Sequence, residues 1–488
     1  MARSLTRSGP GEAMTTPVRV RTPITDDRLY SWACAGFVAL VALVLRLAGL
    51  SSPPSKIFDE KYYAKDAHDL LLYGVERNDT ETGPAFVAHP PFGKWCIALG
   101  EHLFGYNSFG WRIVPALAGA VTVLVLARVA RRLFGSTLLG CVAGLLLALD
   151  GLHFVMSRSA LLDIFLTLFV LLAFACLLLD RDARRARLLA GADLRPWWRA
   201  GVGVFLGLGL GVKWSALWFI PAFVFLALAW EVGARRTAGS RTPYRDGVRS
   251  GVVGVVVILG FAGLVYLATW TGWFLSDDGW GRHWAEQTGG GLPFVPDALV
   301  NLWHYQRQVL HFHDTLSKPH AYQSTPWSWL TIGRPVTFYV PQDPTGCGAD
   351  RCVVEIIALG TPFLWWSFYP AMIMAGWRWL ARRDWRGGAI LLCILSGWVP
   401  WMFYPNRTMF YFYLLPALPF LILAVTYGLG VVLGPASASQ DRRFVGALAV
   451  GLYLVAVLLA FVYFYPIYTG QLLTWSQWHS RMWFDSWI

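Results

Sequence analysis

Long apolar stretches constrain this chain more than any other feature. A membrane-spanning α-helix needs about 20 predominantly apolar residues. We find eleven such stretches, several of them short, at 32–50, 109–127, 137–152, 160–179, 200–213, 214–230, 250–272, 357–377, 387–404, 408–432 and 444–464. The sequence therefore predicts an all-α polytopic membrane protein with about eleven transmembrane helices.

The composition excludes the main alternatives. Charged residues make up 14% of the chain, whereas soluble domains carry about 25%. The 26 tryptophans suit a protein with two membrane–water interfaces, where this residue is enriched. A soluble enzyme, a disordered protein and a secreted disulfide scaffold are all inconsistent with these values.

Basic residues predict the orientation, because cytoplasmic loops carry an excess of Lys and Arg. Of 41 basic residues, 25 fall on one side of the predicted membrane, in segments 1–31, 128–136, 180–199, 231–249, 378–386 and 435–443. That side is cytoplasmic, so the net charge of +12 reflects topology and not nucleic-acid binding. Residues 200–230 could form one long helix, but this would place the arginines of 231–249 outside.

The topology divides the chain into five parts. The predicted parts are a disordered basic cytoplasmic tail (1–31), an N-terminal transmembrane catalytic module (32–272) with outer loop 51–108, an extracytoplasmic loop (273–356), C-terminal transmembrane helices (357–464) and an outer aromatic tail (465–488). The sequence shows no internal repeat, so it does not support an inverted-repeat transporter.

Two adjacent carboxylates, Asp59 and Glu60, directly follow the first predicted span. They could simply begin a solvated loop. Alternatively, one is a catalytic base, because a carboxylate held between apolar groups has a raised pKa. The apolar stripe over 60–74 predicts a helix lying on the membrane surface.

Further charged residues gather near the outer ends of the predicted spans. His89 and Lys94 flank a stiff Pro-Pro turn, which could equally be a plain loop. The other ionisable residues lie within or beside apolar stretches, namely Arg112, Arg158, Asp163, Lys213 and Arg407. Arg158 and Asp163 could pair with each other, whereas arginines without a local acid suit a phosphate ligand.

Cysteines and histidines in the outer loop suggest two other kinds of site. Cys347 and Cys352 lie in an oxidising compartment, which favours a disulfide over a two-ligand metal site. The loop also holds His304, His311, His313, Asp314 and His320. Zinc binding is one interpretation of this set, but an acceptor-binding loop fits equally well, and we expect no metal.

Taken in order, several motifs resemble those of the protein O-mannosyltransferases. The motifs are Asp59-Glu60, His89-Pro90-Pro91-Phe92-Gly93-Lys94, Arg158 to Asp163, Lys213-Trp214-Ser215 and Tyr411-Phe412-Tyr413-Leu414-Leu415-Pro416-Ala417-Leu418-Pro419. The resemblance implies a GT-C fold, a polyprenyl-phosphate-mannose donor and transfer to Ser or Thr of exported proteins. The outer loop is too short for the β-trefoil domain of eukaryotic members, so the chain looks like a bacterial, actinobacterial-type member.

The resemblance implies the role of Asp59 and the inversion, and the chemistry of the other residues suggests their roles. Asp59 would be the general base of an inverting transfer, with Glu60 orienting acceptor or sugar. Arg112 and Arg407 would hold the phosphate, assisted by Lys94 or His89, and the supporting residues would be Arg158, Asp163 and Lys213.

The expected partners are the lipid donor, exported acceptor proteins at the Sec translocon, and membrane lipids, with no cofactor.

Two rival functions remain at this point. One is a GT-C enzyme that moves arabinose or aminoarabinose to a glycolipid. The other is a transporter, which would place its ionisable residues near the midplane of the bilayer.

Overall fold

The computed structural model describes residues 28–80, 82–192, 197–435 and 437–488. The predicted basic tail, 1–31, lies almost entirely outside the described residues. The α-helices are α1 Arg28–Leu47, α2 Glu60–Tyr73, α3 Phe92–Phe104, α4 Ser108–Phe134, α5 Thr137–Ala148, α6 Gly151–Met156, α7 Asp163–Leu189, α8 Trp197–Val212, α9 Phe219–Thr237, α10 Pro243–Ala268, α11 Thr271–Leu275, α12 Trp284–Thr288, α13 Asp297–Thr315, α14 Pro326–Trp329, α15 Pro362–Trp366, α16 Phe368–Arg382, α17 Trp385–Trp398, α18 Leu418–Leu433, α19 Gln440–Thr469 and α20 Trp475–His479. Short 3₁₀ helices occupy Trp214–Trp218, Val399–Phe403, Tyr411–Ala417 and Asp485–Trp487, and the strands are β1 Val336–Tyr339, β2 Cys352–Val353, β3 Ile356–Ala358 and β4 Leu473–Thr474.

Within the described residues, eight helical segments are long and apolar enough to cross a membrane. This makes the chain a multi-pass membrane protein, but it does not confirm the count of eleven. The predicted spans 137–152 and 200–213 correspond to the shorter apolar helices α5 and α8, of which α8 begins three residues earlier than predicted, at Trp197.

The predicted span 357–377 is wrong in its boundaries. Its first residues form β3, and the helical part is divided into α15 and α16. Pro362 explains the late start, because a residue before proline avoids the helical conformation, whereas proline itself suits the first turn of a new helix.

The predicted break within 200–230 is confirmed. Helix α8 ends at Val212, and Lys213 has an extended backbone with φ −158° and ψ 136° before the next 3₁₀ turn. Small residues on α8 allow close packing against α10, since a Cβ atom at Gly203 would lie 2.4 Å from the carbonyl oxygen of Ile258. Small residues at helix contacts are the usual device for close packing inside membranes.

The centre of the transmembrane region is formed by α4, α7 and α18. In the most apolar stretch of each of these three spans, 67%, 78% and 72% of the residues are buried, the last value including the 3₁₀ helix that precedes α18. In α1, α10 and α19 only 22–28% of the corresponding residues are buried. The apolar exterior of the latter helices is the surface expected to face lipid.

The segments that the sequence predicts to lie outside the membrane fold against one another. The helix predicted over 60–74 is present as α2, and α3 packs against it. Two small antiparallel sheets pair β1 with β3 and β2 with β4. The second sheet ties the loop containing the Cys347–Cys352 disulfide to the C-terminal tail.

Candidate active site

A strained turn places the two adjacent carboxylates. Phe58 has φ 45°, a left-handed conformation that is costly for a bulky residue and persists only where its surroundings enforce it. Its ring stacks on Phe338 at 4.7 Å and meets the edges or faces of Phe410 and Phe412 at 5.9 and 5.8 Å. This aromatic cage holds the entry into α2, where Asp59 is the N-cap residue and Glu60 the first helical residue.

Glu60 is buried and fully hydrogen-bonded. Its Oε1 accepts from Arg112 Nε at 2.8 Å and from the Ala160 amide at 2.9 Å. Its Oε2 accepts from the second Arg112 nitrogen at 2.8 Å and from the Ile57 amide at 3.0 Å. With no exposed surface, this carboxylate joins three parts of the chain and is not available to a substrate.

Arg112 has no donor left for a phosphate. Besides the two bonds to Glu60, it donates to the carbonyl oxygens of Leu50, Pro53 and Ser55. These contacts use all five N–H groups of a guanidinium, and the residue is 1% exposed. The geometry therefore does not fit the predicted phosphate-binding role, and it makes Arg112 a clamp on residues 50–60.

Asp59 differs from Glu60 in having no hydrogen-bond or ion-pair partner for its carboxylate among the described residues. Its carboxylate makes no capping hydrogen bond, and no ion pair to it is found among the described residues. Burial raises its pKa from 3.8 to about 6, opposed by the positive charges of Lys213 and Lys61 and reinforced by Asp163. A carboxylate without partners and with a pKa near neutrality is the kind of group that accepts a proton.

Lys213 and Asp163 form a buried ion pair close to Asp59. The Lys213 Nζ lies 3.0 and 3.1 Å from the two carboxylate oxygens of Asp163 and 4.6 Å from the centre of the Tyr413 ring. The alternative pairing of Asp163 with Arg158 is wrong. Arg158 instead donates to the carbonyl oxygens of Arg46, Ala48 and Gly49 at the end of α1.

Lys94 is also committed to other residues. Its ammonium group, 1% exposed, pairs with Glu76 and lies 3.6 Å from Asp66. Like Arg112, it does not fit the predicted phosphate role.

Arg407 differs from Arg112 and Lys94, whose charged groups are already paired with other residues. Among the residues that the structure describes, its guanidinium makes two hydrogen bonds, both to His313, one to the carbonyl oxygen and one of 3.1 Å to Nδ1. Its buried Nε has no partner in the part of the chain that the structure describes. Donors therefore remain for a ligand.

His89 lies next to His313, the residue to which Arg407 donates. Its ring centre lies 5.3 Å from that of His313, and its buried Nδ1 is unpartnered among the described residues. Burial lowers the pKa of His89 well below its usual range, reinforced by Lys213, His313, Lys94 and Arg407. A neutral imidazole here can still donate one hydrogen bond.

The structure thus separates the predicted residues into two groups. The charges of Lys213 and Asp163 act on Asp59, and those of Lys213, Lys94 and Arg407 act on His89, so these residues form one electrostatically connected group. Glu60, Arg112 and Arg158 hold the loops around it through buried hydrogen bonds. Lys94 belongs to both groups, because its ammonium also pairs with Glu76. Sequence reasoning did not identify Phe58 or assign a role to His313. The only sequence signal for Phe58 was the presence of aromatic residues on both sides of the Asp-Glu pair. The only signal for His313 was the number of histidines in the outer loop.

The zinc interpretation of the outer-loop histidines finds no support among the described residues, where no group of three or more His, Cys, Asp or Glu side chains could hold a metal ion. The outer-loop histidines are distributed among different neighbours. His304, for example, stacks on Trp284 at 4.1 Å.

Comparisons with known proteins agree over nearly the whole chain. Residues 88–261 match the family model described as dolichyl-phosphate-mannose-protein mannosyltransferase, and residues 298–487 match that of the C-terminal four-transmembrane region of protein O-mannosyltransferase. The polyprenol-phosphate-mannose–protein mannosyltransferase of Mycobacterium tuberculosis is 40% identical, covering 95% of this chain and 94% of the relative. The protein of the same name from Corynebacterium glutamicum is 34% identical, with 94% and 93% covered.

A solved structure shows the same fold. The S. cerevisiae protein O-mannosyltransferase Pmt1–Pmt2 complex, bound to the sugar donor, superposes with a TM-score of 0.77 at 16% identity, covering 96% of this chain and 93% of that chain. The GT-C architecture predicted from the sequence is therefore confirmed.

Proposed function

The chain belongs to the protein O-mannosyltransferase family, and on this premise we propose how its outer-face site works. The activity is transfer of mannose from polyprenyl-phosphate-mannose to protein. The acceptor groups are Ser and Thr hydroxyls of exported proteins, on the extracytoplasmic side. The distribution of Lys and Arg over the loops supports that orientation.

Asp59 is the general base of this reaction. The observation that carries the assignment is the contrast within the Asp-Glu pair, since Glu60 has four hydrogen bonds and the carboxylate of Asp59 has no hydrogen bond or ion pair to any residue that the structure describes. A Ser or Thr hydroxyl is a weak acid, so its attack requires a proton acceptor placed beside it.

The chemical step is a single displacement. The hydroxyl oxygen of the acceptor forms a bond to the anomeric carbon while the bond from that carbon to the phosphate oxygen breaks. The hydroxyl proton passes to Asp59, and the bonding electron pair leaves with the polyprenyl phosphate. Attack from the face opposite the phosphate inverts the anomeric configuration.

Arg407 and His89 bind the phosphate of the donor. Both have a buried nitrogen without a partner in the described part of the chain, whereas Arg112 and Lys94 have theirs occupied. Positive charge held at the departing phosphate stabilises the transition state. Since a phosphate monoester is already a good leaving group, we assign no metal to the reaction.

The test is mass spectrometry of exported proteins from cells with and without the gene. We expect hexose on Ser and Thr to disappear in its absence and to return with the wild-type gene but not with Asp59→Asn. Asp79→Asn is the matched control, because it makes the same chemical change at an exposed position of the same loop. Glycosylation that persists without the gene, in a strain with no second such gene, would contradict the proposal.

A further inference from the structure

One imidazole of the outer loop connects the two residues assigned to the phosphate. His313 lies on α13, far in sequence from both of them. Its Nδ1 lies 3.1 Å from a terminal nitrogen of Arg407, and its Nε2 lies 3.1 Å from the carbonyl oxygen of Ala88, the residue before His89. His313 therefore contacts the Arg407 side chain and the His89 turn at the same time.

The partners of His313 determine its protonation state. An arginine nitrogen can only donate, and a carbonyl oxygen can only accept. Nδ1 must therefore hold a lone pair and Nε2 the proton, so the ring is neutral and has one defined tautomer. Burial, reinforced by the charges of Arg407 and Lys213, lowers the pKa of His313 to about 4, in agreement with this assignment.

The backbone around Arg407 depends on the same loop. Arg407 lies in the turn between the 3₁₀ helices Val399–Phe403 and Tyr411–Ala417. The next residue, Thr408, donates from its amide to the carbonyl oxygen of Leu316 at 3.0 Å and from its hydroxyl to that of Lys318 at 2.5 Å. The side chain of Arg407, however, has hydrogen bonds only to His313 among the described residues.

We propose that His313 is a positioning residue that orients Arg407 and the His89 turn toward the donor phosphate. This inference rests on the proposed function, in which those two residues bind the phosphate. His313 itself touches no reacting atom in this scheme. It sets the direction of the guanidinium, and its outer-loop helix thereby takes part in donor binding.

Two substitutions separate the two bonds of the ring. His313→Gln can place an amide nitrogen near the position of Nε2 and keep the bond to Ala88, but it offers Arg407 no acceptor at the position of Nδ1. His313→Asn places an amide oxygen near Nδ1 and keeps an acceptor for Arg407, but it does not reach Ala88. We expect His313→Gln to raise KM for polyprenyl-phosphate-mannose by about 10- to 100-fold, the range for losing one hydrogen bond to a charged group, and His313→Asn to raise it less.

The KM for an acceptor peptide should not change in either variant. The matched control is His311→Gln, an exposed histidine two positions earlier on the same helix, which should leave both KM values unchanged. A purely structural role for His313 would lower kcat and thermal stability in both variants and leave the KM for the donor unchanged, and that result would overturn the inference.

A double-mutant cycle with Arg407→Lys distinguishes this inference from the proposed function. Lysine cannot make the two directed bonds, so His313→Gln should add no further rise in the KM for the donor in that background, and an additive rise would overturn the inference. If His313→Gln does not fold, His313→Asn is tested in the same cycle with a different criterion. Because it keeps the acceptor for Arg407 and loses only the bond to Ala88, its smaller rise in the KM for the donor should persist beside Arg407→Lys, and no rise in either background would overturn the inference. If Arg407→Ala leaves the KM for the donor unchanged, the phosphate site of the proposed function is wrong. If Arg407→Ala raises it and His313→Gln does not, only the role of His313 is wrong.

Discussion

Replacing each member of the Asp-Glu pair by its amide should have opposite effects on stability and activity. Glu60→Gln removes the charge that balances Arg112, and both side chains are at most 1% exposed. Removing one partner of a buried ion pair costs about 3–5 kcal/mol of unfolding free energy. The glutamine amide would also replace one of the two carboxylate oxygens by an NH₂ group. That group would face two of the N–H donors that bond to Glu60 in the wild type and could accept from neither. We therefore expect Glu60→Gln to be strongly destabilised.

Asp59→Asn should instead be as stable as the wild type or more so. Because burial raises the pKa of Asp59 from 3.8 in the unfolded chain to about 6, its ionised form opposes folding above that range. Removing the charge should stabilise the protein at pH 8 by about 1–3 kcal/mol. This advantage should shrink as the pH falls through 6 and should vanish below 3.8, where the wild-type group is protonated in both states.

The same variant should lose activity. General-base catalysis contributes about 10²- to 10⁴-fold, so Asp59→Asn should reduce kcat by at least the lower figure with little change in the affinity for the donor. The measurements are thermal unfolding of purified protein, followed by tryptophan fluorescence, and mannosyl transfer at saturating donor and peptide. Asp79→Asn serves as the control in both.

A particular result would refute the reasoning. If Asp59→Asn kept near-normal turnover while Glu60→Gln was inactive yet as stable as the wild type, the base would be the other carboxylate. If both variants turned over normally, general-base catalysis at this loop would be excluded.

Further predictions concern pH and topology. The rate should rise as the pH is raised through about 6, because Asp59 must be ionised to accept a proton and its pKa is raised to about 6, and a pH–rate profile that is flat from 5 to 8 would contradict this. Lys213→Met should move the midpoint of that profile upward and Asp163→Asn downward, since the first removes a positive charge that lowers the pKa of Asp59 and the second a negative charge that raises it. A cysteine introduced at Ser317 should react with an impermeant thiol reagent in intact cells, above the background of the parent chain, and one at Ser437 should not. The reverse pattern would place the site on the cytoplasmic side.

Much of this architecture could be predicted from the sequence because it depends on local properties. The length of an apolar run determines whether a segment can cross a bilayer, and the interruption at Lys213 was visible as a charge and small residues inside such a run. The position of Asp59 and Glu60 directly after the first span also follows from the order of residues. The boundaries of 357–377 were wrong because apolar length alone does not distinguish a strand followed by two helices from one helix.

The roles of individual charges were decided only by the tertiary structure. Hydropathy and spacing do not indicate which of two adjacent carboxylates has a partner, or which arginine has free donors. Those properties depend on pairs that are distant in the chain, such as Glu60 with Arg112 across 52 residues, Asp163 with Lys213 across 50 and His313 with Arg407 across 94. Packing brings each pair together, because leaving a buried charge without a partner is costly. The paired residues therefore hold the site in place, and the residues with free donors or acceptors are available to the substrate.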